Sequence, residues 1–447
     1  MSQVEMRGAK ATRIIGLANF KGVDIPVVAG VAFSQNNAII SDKPRGRAFA
    51  NKENKELVMK TLVATAVLCS SLAAFANQSE IAKWDPNMAQ KCAVVDTNGV
   101  KWIDGRYLPI EGRMFDDVDN YYDRLPSNLT TRVNGGVRSM RHHTSGMQFR
   151  FSTDSKNLRF RWKPYNPGLS MDHMPSTGVS GIDVYRFDAN VGKWRYVKTG
   201  RIWDAQKGGS LDIGWTPGTP CLVNLPLYNG IREFSLGIDS QATISALPPR
   251  KSGVNKPVVF YGTSITHGGC CSRPGLAFPS IVGRYLDVPI VNLGFSGSGR
   301  MEMEMADQLA RIDASCYVLD CLWNMGGAGN SEDYNDIRDR SAPFCVVRER
   351  YEPFIRALRA KRPGVPIVMA EQCDVYCNGP SDKDKFVRAL YDKLIAEGWT
   401  DLVYLPKDSM YTGDMEGTVD GCHPNDWGMV SMAKAFGAAV RSALKLK

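Results

Sequence analysis

Near residue 250 the hydrophobic pattern of this chain changes period, and that change restricts the fold more than any other feature. Before it, apolar and polar residues alternate over short runs. Met147-Gln148-Phe149-Arg150-Phe151 and Leu158-Arg159-Phe160-Arg161-Trp162 each put every second side chain on one face. Further short runs follow at 181–187, 194–198 and 234–238, with Gly, Pro, Asn and Asp between them. Many short strands at turn-punctuated spacing predict an all-β sandwich or jelly roll. After residue 256 the runs are continuous and apolar, at 258–261, 289–293, 317–319, 366–369 and 402–404. Helix-period stretches alternate with them, at 277–286, 303–312, 348–362, 382–397 and 427–446. Apolar strands alternating with helices predict α/β architecture, a doubly wound parallel sheet with a flavodoxin-like strand order. Such a sheet binds ligands at the carboxyl ends of its strands. The polar, Pro- and Gly-marked segment 248–255 reads as the linker between a β domain at 77–247 and an α/β domain at 256–447.

Length and charge narrow the function classes. The 447 residues suit two domains of roughly 100–200 each. Hydrophobic content of 43% and charged content of 23% exclude a collagen, a coiled-coil rod and a wholly disordered chain. No apolar run reaches the roughly 18–20 residues of a membrane span. Of the formal charge of +9, residues 1–58 hold a net +4 and Lys60 one more, leaving +4 for residues 77–447. With no basic stripe interleaved with aromatics, a nucleic-acid partner is not expected.

Met59-Lys60-Thr61, the apolar and small-residue stretch 62–72 and Ala74-Phe75-Ala76 have the layout of a secretory signal with an A-x-A cleavage site. The expectation is that translation starts at Met59, that residues 1–58 are an upstream artefact of gene calling, and that the mature protein begins at Asn77 and is periplasmic or extracellular. Export permits disulfides among the ten cysteines that remain without Cys69, and their pairing stays open. Cys270-Cys271 and Cys373-x3-Cys377 stand out. No paired C-x-x-C or H-E-x-x-H pattern is present, so neither a zinc site nor any other cofactor is expected.

The reactive residue types sit where the predicted strands end. In Tyr261-Gly262-Thr263-Ser264 a buried strand breaks at a glycine, and a serine follows at the top of the sheet. Ser264 is either a turn or cap residue or a nucleophile beside helix amides that would stabilise an oxyanion. Asn292-Leu293-Gly294-Phe295-Ser296-Gly297-Ser298-Gly299 offers bare backbone amides to a phosphate or an oxyanion, or is simply a flexible loop. Asn324, after the run 317–319, is an ordinary loop residue or an oxyanion donor. Asp420 and His423 lie three apart on one loop, and a serine needs a base that is itself oriented by an acid. Of the five histidines only His423 combines an α/β position with a nearby acid in a turn; His267 reads as a local helix residue. The order Ser, Asp, His along the chain is one that triad enzymes use.

Taken together, Gly262-Thr263-Ser264, Gly294-x-Ser296-Gly297, Asn324 and Asp420-x-x-His423 resemble the four blocks of the SGNH (GDSL-type) hydrolases over residues 256–447. The first half resembles the companion domain of a subgroup named for its GxDLY motif, here Gly181-Ile182-Asp183-Val184-Tyr185, preceded by Asp172-His173-Met174. The resemblance implies Ser264 as nucleophile, His423 as base and then acid, and Asp420 as its orienting partner. It implies an oxyanion hole made of the Ser264 amide, the Gly297 amide and the Asn324 side chain. The chain departs from the pattern at Thr263, where the broad family has Asp, and in Leu322-Trp323-Asn324-Met325, where it has Gly-x-Asn-Asp. Val184 replaces a Leu. Asp183 and Tyr185 are structural or belong to a substrate-contacting domain; in the latter case His173 would reach over the mouth of the site. Trp323 would stack on a sugar ring or pack. The expected activity is an exported serine esterase removing acyl groups, acetyl foremost, from carbohydrate or another small ester, without cofactor. The alternatives are a lipase or thioesterase, against which the lack of an apolar lid counts, and a non-catalytic glycan-binding protein on a hydrolase fold. Oligomeric state is not legible.

Overall fold

The structure is a computed structural model describing residues 15–20, 23–28, 93–129, 133–326, 345–372, 380–410 and 412–447. The chain divides into two compact units, 1–69 and 70–447. In the first, Ile15–Phe20 pairs antiparallel with Val23–Val28. The signal-like segment 59–76 and the cysteines Cys373 and Cys377 lie outside the described residues.

The second unit begins, among its described residues, with two antiparallel sheets. One runs in the order Gly209–Gly214, Asn157–Pro164, Ile231–Asp239, Val100–Asp104, Val94–Val95. The other runs Ile244–Ser245, Gln148–Thr153, Pro220–Asn224, Ile182–Asp188, Lys193–Gly200, with Ile110–Glu111 also on Gln148–Thr153. Alternation decides which side chains face inward. In Asn157–Pro164, Leu158, Phe160 and Trp162 are buried while Arg159 and Arg161 point outward. Phe149 of one sheet meets Phe234 of the other at 4.5 Å between ring centroids, so the two faces share one core. This is the predicted β-sandwich.

Residues 258–405 contain a parallel five-stranded sheet in the order Ile290–Gly294, Val258–Gly262, Cys316–Asp320, Ile367–Ala370, Leu402–Leu405. That is the doubly wound 2-1-3-4-5 order. Its first three strands are buried along their whole length, which is why they read as unbroken apolar runs. Val259, Tyr261, Leu293 and Leu319 pack toward helices Met303–Arg311, Cys345–Lys361 and Asp382–Ala396. Val258, Phe260, Ile290 and Val318 pack toward Phe278–Leu286 and Asp426–Ala443. Pro353 lies inside Cys345–Lys361 without ending it.

The two halves are not simply strung together. Between the strands Val100–Asp104 and Gln148–Thr153 the chain makes a long excursion containing the short helix Gly135–Met140. Phe115, Leu125, Val133 and Val137 of this excursion join the hydrophobic cluster under the parallel sheet. Met174, Val179 and Leu227 join the cluster on its other face. Among the described residues no helix is long and apolar enough to cross a membrane.

Candidate active site

Register places the three loops at one level. Gly262 stands opposite Gly294 in one neighbouring strand and opposite Asp320 in the other. Ser264 follows Gly262 by two, Gly297 follows Gly294 by three and Asn324 follows Asp320 by four, so all three emerge at the same carboxyl edge. The strand turns directly into the short helix Ser264–His267, with Thr263 as its N-cap and Gly268, at φ +101°, ending it. A Cβ at Gly294 would lie 2.1 Å from the His267 amide nitrogen, and one at Gly262 would lie 2.1 Å from Thr266 Oγ1. Only glycine lets the serine turn seat this tightly on the sheet.

Ser264, Asp420 and His423 form one hydrogen-bonded chain. The Ser264 Oγ lies 2.9 Å from His423 Nε2, and His423 Nδ1 lies 2.7 Å from Asp420 Oδ2. The other Asp420 oxygen accepts from the amides of Cys422 at 3.0 Å and His423 at 2.7 Å. Partial burial pushes the Asp420 carboxyl up, but the His423 amide, the His423 ring and the Cys422 amide outweigh it and hold the group at about 2. An ionised Asp420 accepts from Nδ1–H, which leaves Nε2 free to take a proton from the serine. Asn425 then caps the helix Asp426–Ala443 through the amides of Trp427 and Gly428, fixing the chain just beyond His423.

The loop carrying Gly297 is held from several sides. The Phe295 amide donates to Gly262 O at 2.9 Å, and Arg300 donates to Gly297 O through Nε and Nη2 at 3.0 and 2.7 Å. Gly297 itself sits at φ +64°. Asn324 closes the short 3-10 turn Leu322–Asn324. Its Oδ1 is buried and meets no hydrogen-bond donor among the described residues. Half a turn of the terminal bond of an amide exchanges donor for acceptor.

The sandwich half supplies groups that the sequence did not reveal. The Tyr228 hydroxyl donates to Ser264 O at 3.1 Å, and its ring stacks on His267 at 4.1 Å. Arg124, fully buried, donates to Asn292 O at 3.1 Å, Gly294 O at 2.9 Å and Met140 O at 2.8 Å, and reaches His267 Nε2 at 3.4 Å. Burial pulls its guanidinium down to about 9. His143 Nδ1 lies 3.2 Å from the same His267 nitrogen. Burial first, and then the Arg124 charge, hold His143 at about 3 and push His267 well below the ordinary histidine value, so both rings are neutral. Asn134 Nδ2 donates to Ser298 O at 2.9 Å and to Glu302 Oε1 at 2.6 Å. His267 is a helix residue, as its position suggested, but its partners Arg124 and His143 come from more than a hundred positions away.

The GxDLY motif acts as a clamp. Asp183 is fully buried. Its Oδ1 accepts from Asn224 Nδ2 at 2.8 Å, and its Oδ2 accepts from Arg273 Nη1 at 2.8 Å and the Gly275 amide at 2.9 Å. Arg273 also donates to the Tyr185 hydroxyl. This enclosed carboxylate grips the loop that follows the serine helix. Thr177 donates to Ser272 O at 2.6 Å, and Ser272 in turn donates to Asp426, three residues beyond His423.

His173, exposed, lies with its ring 6.1 Å from that of His423. Trp323 is half-buried against the cluster shared by Phe278–Leu286 and Asp426–Ala443. Asp320, at the end of its strand, accepts from Thr266 Oγ1 at 2.7 Å, and burial pushes its carboxyl up to about 7. Cys270 and Cys271 are both free thiols. Among the described residues no group of three His, Cys, Asp or Glu is placed to hold a metal ion.

Comparison with known proteins agrees with this fold. Residues 255–441 match the GDSL-like lipase/acylhydrolase family, and residues 100–244 match the GxDLY domain, the N-terminus of SGNH-hydrolase-type esterases. Among solved structures, a candidate GDSL-like lipase from Bacteroides ovatus ATCC 8483 is 25% identical at a TM-score of 0.64, over 78% of this chain and 99% of that one. The salicylyl-acyltransferase SsfX3 of a tetracycline biosynthetic pathway is 17% identical at a TM-score of 0.60, over 79% of this chain and all of that one, a likeness of fold. A search of curated proteins returns no match. Residues 255–441 thus belong to the GDSL-like lipase/acylhydrolase family and, with the GxDLY domain in front of them, make this chain an SGNH-type ester hydrolase.

Proposed function

We propose that the chain is an exported serine esterase that removes acyl groups, acetyl foremost, from carbohydrate through an acyl-Ser264 intermediate. The observation that carries the reading is the chain of hydrogen bonds from Ser264 Oγ through His423 to Asp420. Ser264 Oγ attacks the ester carbonyl carbon as its proton passes to His423 Nε2. The tetrahedral oxyanion is received by the Ser264 amide, the Gly297 amide and the Asn324 side chain. Collapse breaks the bond to the alcohol oxygen, which leaves with the proton from His423. A water then gives its proton to His423 and attacks the acyl carbon, releasing the acid and restoring Ser264. The alcohol side is read as carbohydrate from three features: the signal-like segment 59–76, the exposed His173 beside His423, and Trp323 at the strand end.

The test is hydrolysis of a chromogenic acetate ester by the purified protein with Ser264→Ala beside it. Loss of turnover by roughly 10³–10⁶ in the variant supports the reading. Equal rates in the two proteins refute it, and labelling of Ser264 by a fluorophosphonate provides a second readout. The likeness to the Bacteroides ovatus protein favours a lipase as the second reading. Faster turnover of long-chain esters than of acetate would select it. N-terminal sequencing of native protein tests export: a start at Asn77 supports it, and a secreted form retaining Phe20 or Phe33 contradicts a start at Met59.

A further inference from the structure

The outer face of the sandwich carries a second concave surface, distinct from the serine site. A groove of about 460 Å³ runs over the sheet edge, lined by Arg161, Lys163, Trp203, Ser210, Glu233 and Ser235. Its floor is set by strand register. Arg161 stands opposite Ser210 in one neighbouring strand and Ser235 in the other, and Lys163 stands opposite Glu233. Gly209 adds backbone to the same floor; a Cβ there would point inward and strike the buried Trp162 indole at 2.2 Å.

One exposed indole borders this polar strip. At one end Trp203 is 76% exposed, the most exposed large hydrophobic side chain among the described residues. The Arg201 guanidinium carbon lies 3.4 Å from its ring centroid, so one face of the indole is taken and the exposure belongs to the other. At the other end the Arg161 guanidinium lies 3.9 Å from the ring of Trp102. The loop bearing Trp203 is pre-shaped. Asp204 Oδ1 accepts from the amides of Gln206 and Lys207, Gly208 N donates to Asp204 O, and Lys163 Nζ donates to Gln206 O at 2.7 Å across the groove. An indole left in water on a fixed loop forgoes the burial of about 150–250 Å² that such a side chain ordinarily gains.

We propose that this face binds a polysaccharide chain. A sugar ring offers an apolar C–H face and a rim of hydroxyls. The open indole matches the first, and the guanidinium, ammonium, hydroxyl and carboxylate groups of the floor match the second. The charges of the strip largely answer one another: Lys163 faces Glu233, and Lys207 Nζ lies 3.9 Å from Asp204. The ligand is therefore recognised by stacking and hydrogen bonds and not by net charge. Only the choice of ligand class rests on the carbohydrate reading above. The site would tether the enzyme to a polymer whose acyl groups Ser264 removes.

The test measures binding separately from turnover. Intact protein, Trp203→Ala and Ser264→Ala are run in native gels containing soluble xylan, galactomannan or hydroxyethylcellulose, at low and at 0.5 M salt. The expected result is retardation of the intact protein and of Ser264→Ala by at least one polymer, little changed by salt. Trp203→Ala should bind at least about tenfold more weakly while hydrolysing a small chromogenic acetate at the parent rate. The proposal is overturned if no polymer retards the protein, if Trp203→Ala binds like the parent, or if salt abolishes the retardation. Esterase failure with intact Trp203-dependent binding would sink the proposed function and leave the groove standing.

Discussion

Replacing Asp183 by Asn keeps the shape of the side chain and removes its charge, which makes it the sharpest probe of what joins the two halves. In the parent, one carboxylate oxygen receives Arg273 and the Gly275 amide while the other receives Asn224. An amide lacks the charge that answers Arg273. With its oxygen toward Gly275, its NH₂ meets an acceptor only if the Asn224 amide also turns over; reversed, it confronts two donors. Removing one partner of a buried ion pair costs about 3–5 kcal/mol. Arg273 keeps the Tyr185 hydroxyl and is 18% exposed, so water recovers part of that loss. We therefore expect a destabilisation of about 3 kcal/mol, which lowers the urea midpoint by about 1 M at a slope near 3 kcal/mol per M. The assay is a fluorescence-monitored urea titration, paired with kcat and KM for a chromogenic acetate well below the transition. KM should stay within about twofold of the parent. A variant with the parent midpoint and a KM raised tenfold would refute the clamp and return Asp183 to the substrate.

Asn324→Ala should lower kcat by roughly 10²–10³ with little change in urea midpoint; an unchanged kcat removes Asn324 from the oxyanion hole. Asp320→Asn tests the buried carboxyl beneath the serine turn. The folded-state value near 7 lies above the ordinary 3.8, so native protein holds a proton that the unfolded chain releases. That contribution is complete below about pH 4 and is lost as pH rises toward 7. The variant should therefore gain about 2–4 kcal/mol over the parent at pH 8 and nothing at pH 4, by urea titration at both. Equal differences at the two pH values would refute it. A chelator should leave esterase activity intact, and activity lost to EDTA and restored by zinc would contradict the serine mechanism.

The parallel sheet was legible because burial on both faces forces unbroken apolar runs such as Val258-Val259-Phe260-Tyr261, which few other contexts produce. The Ser264, Asp420 and His423 set was legible because two of its members are three residues apart and the third follows a strand-ending glycine. Arg124, Tyr228 and His143 were not. An arginine's burial depends on which carbonyls converge on it, and those of Asn292 and Gly294 come from strands far along the chain. The sandwich was legible as a class. Its strands Gly209–Gly214 and Pro220–Asn224 carry too many Gly, Ser, Pro and Asn residues to announce themselves, and pairing partners define them. Asp183 stood out as part of a motif, and local sequence favoured a structural role without excluding substrate contact. The enclosure by Arg273, Gly275 and Asn224 supports the structural role.

The grip of Arg124 and Asn134 on the loop 292–298 also bears on heredity. These contacts link positions 170 and 164 apart in sequence, across the junction of the two halves. A recombination event with its crossover in the segment 248–255 would bring together halves that had not been selected as a pair. Arg273 would then have to find its carboxylate, and the carbonyls of Asn292 and Gly294 their cation, on a half placed by a different core. Such a hybrid keeps its serine in register only where these contacts re-form, which favours descent of the two halves as one inheritance.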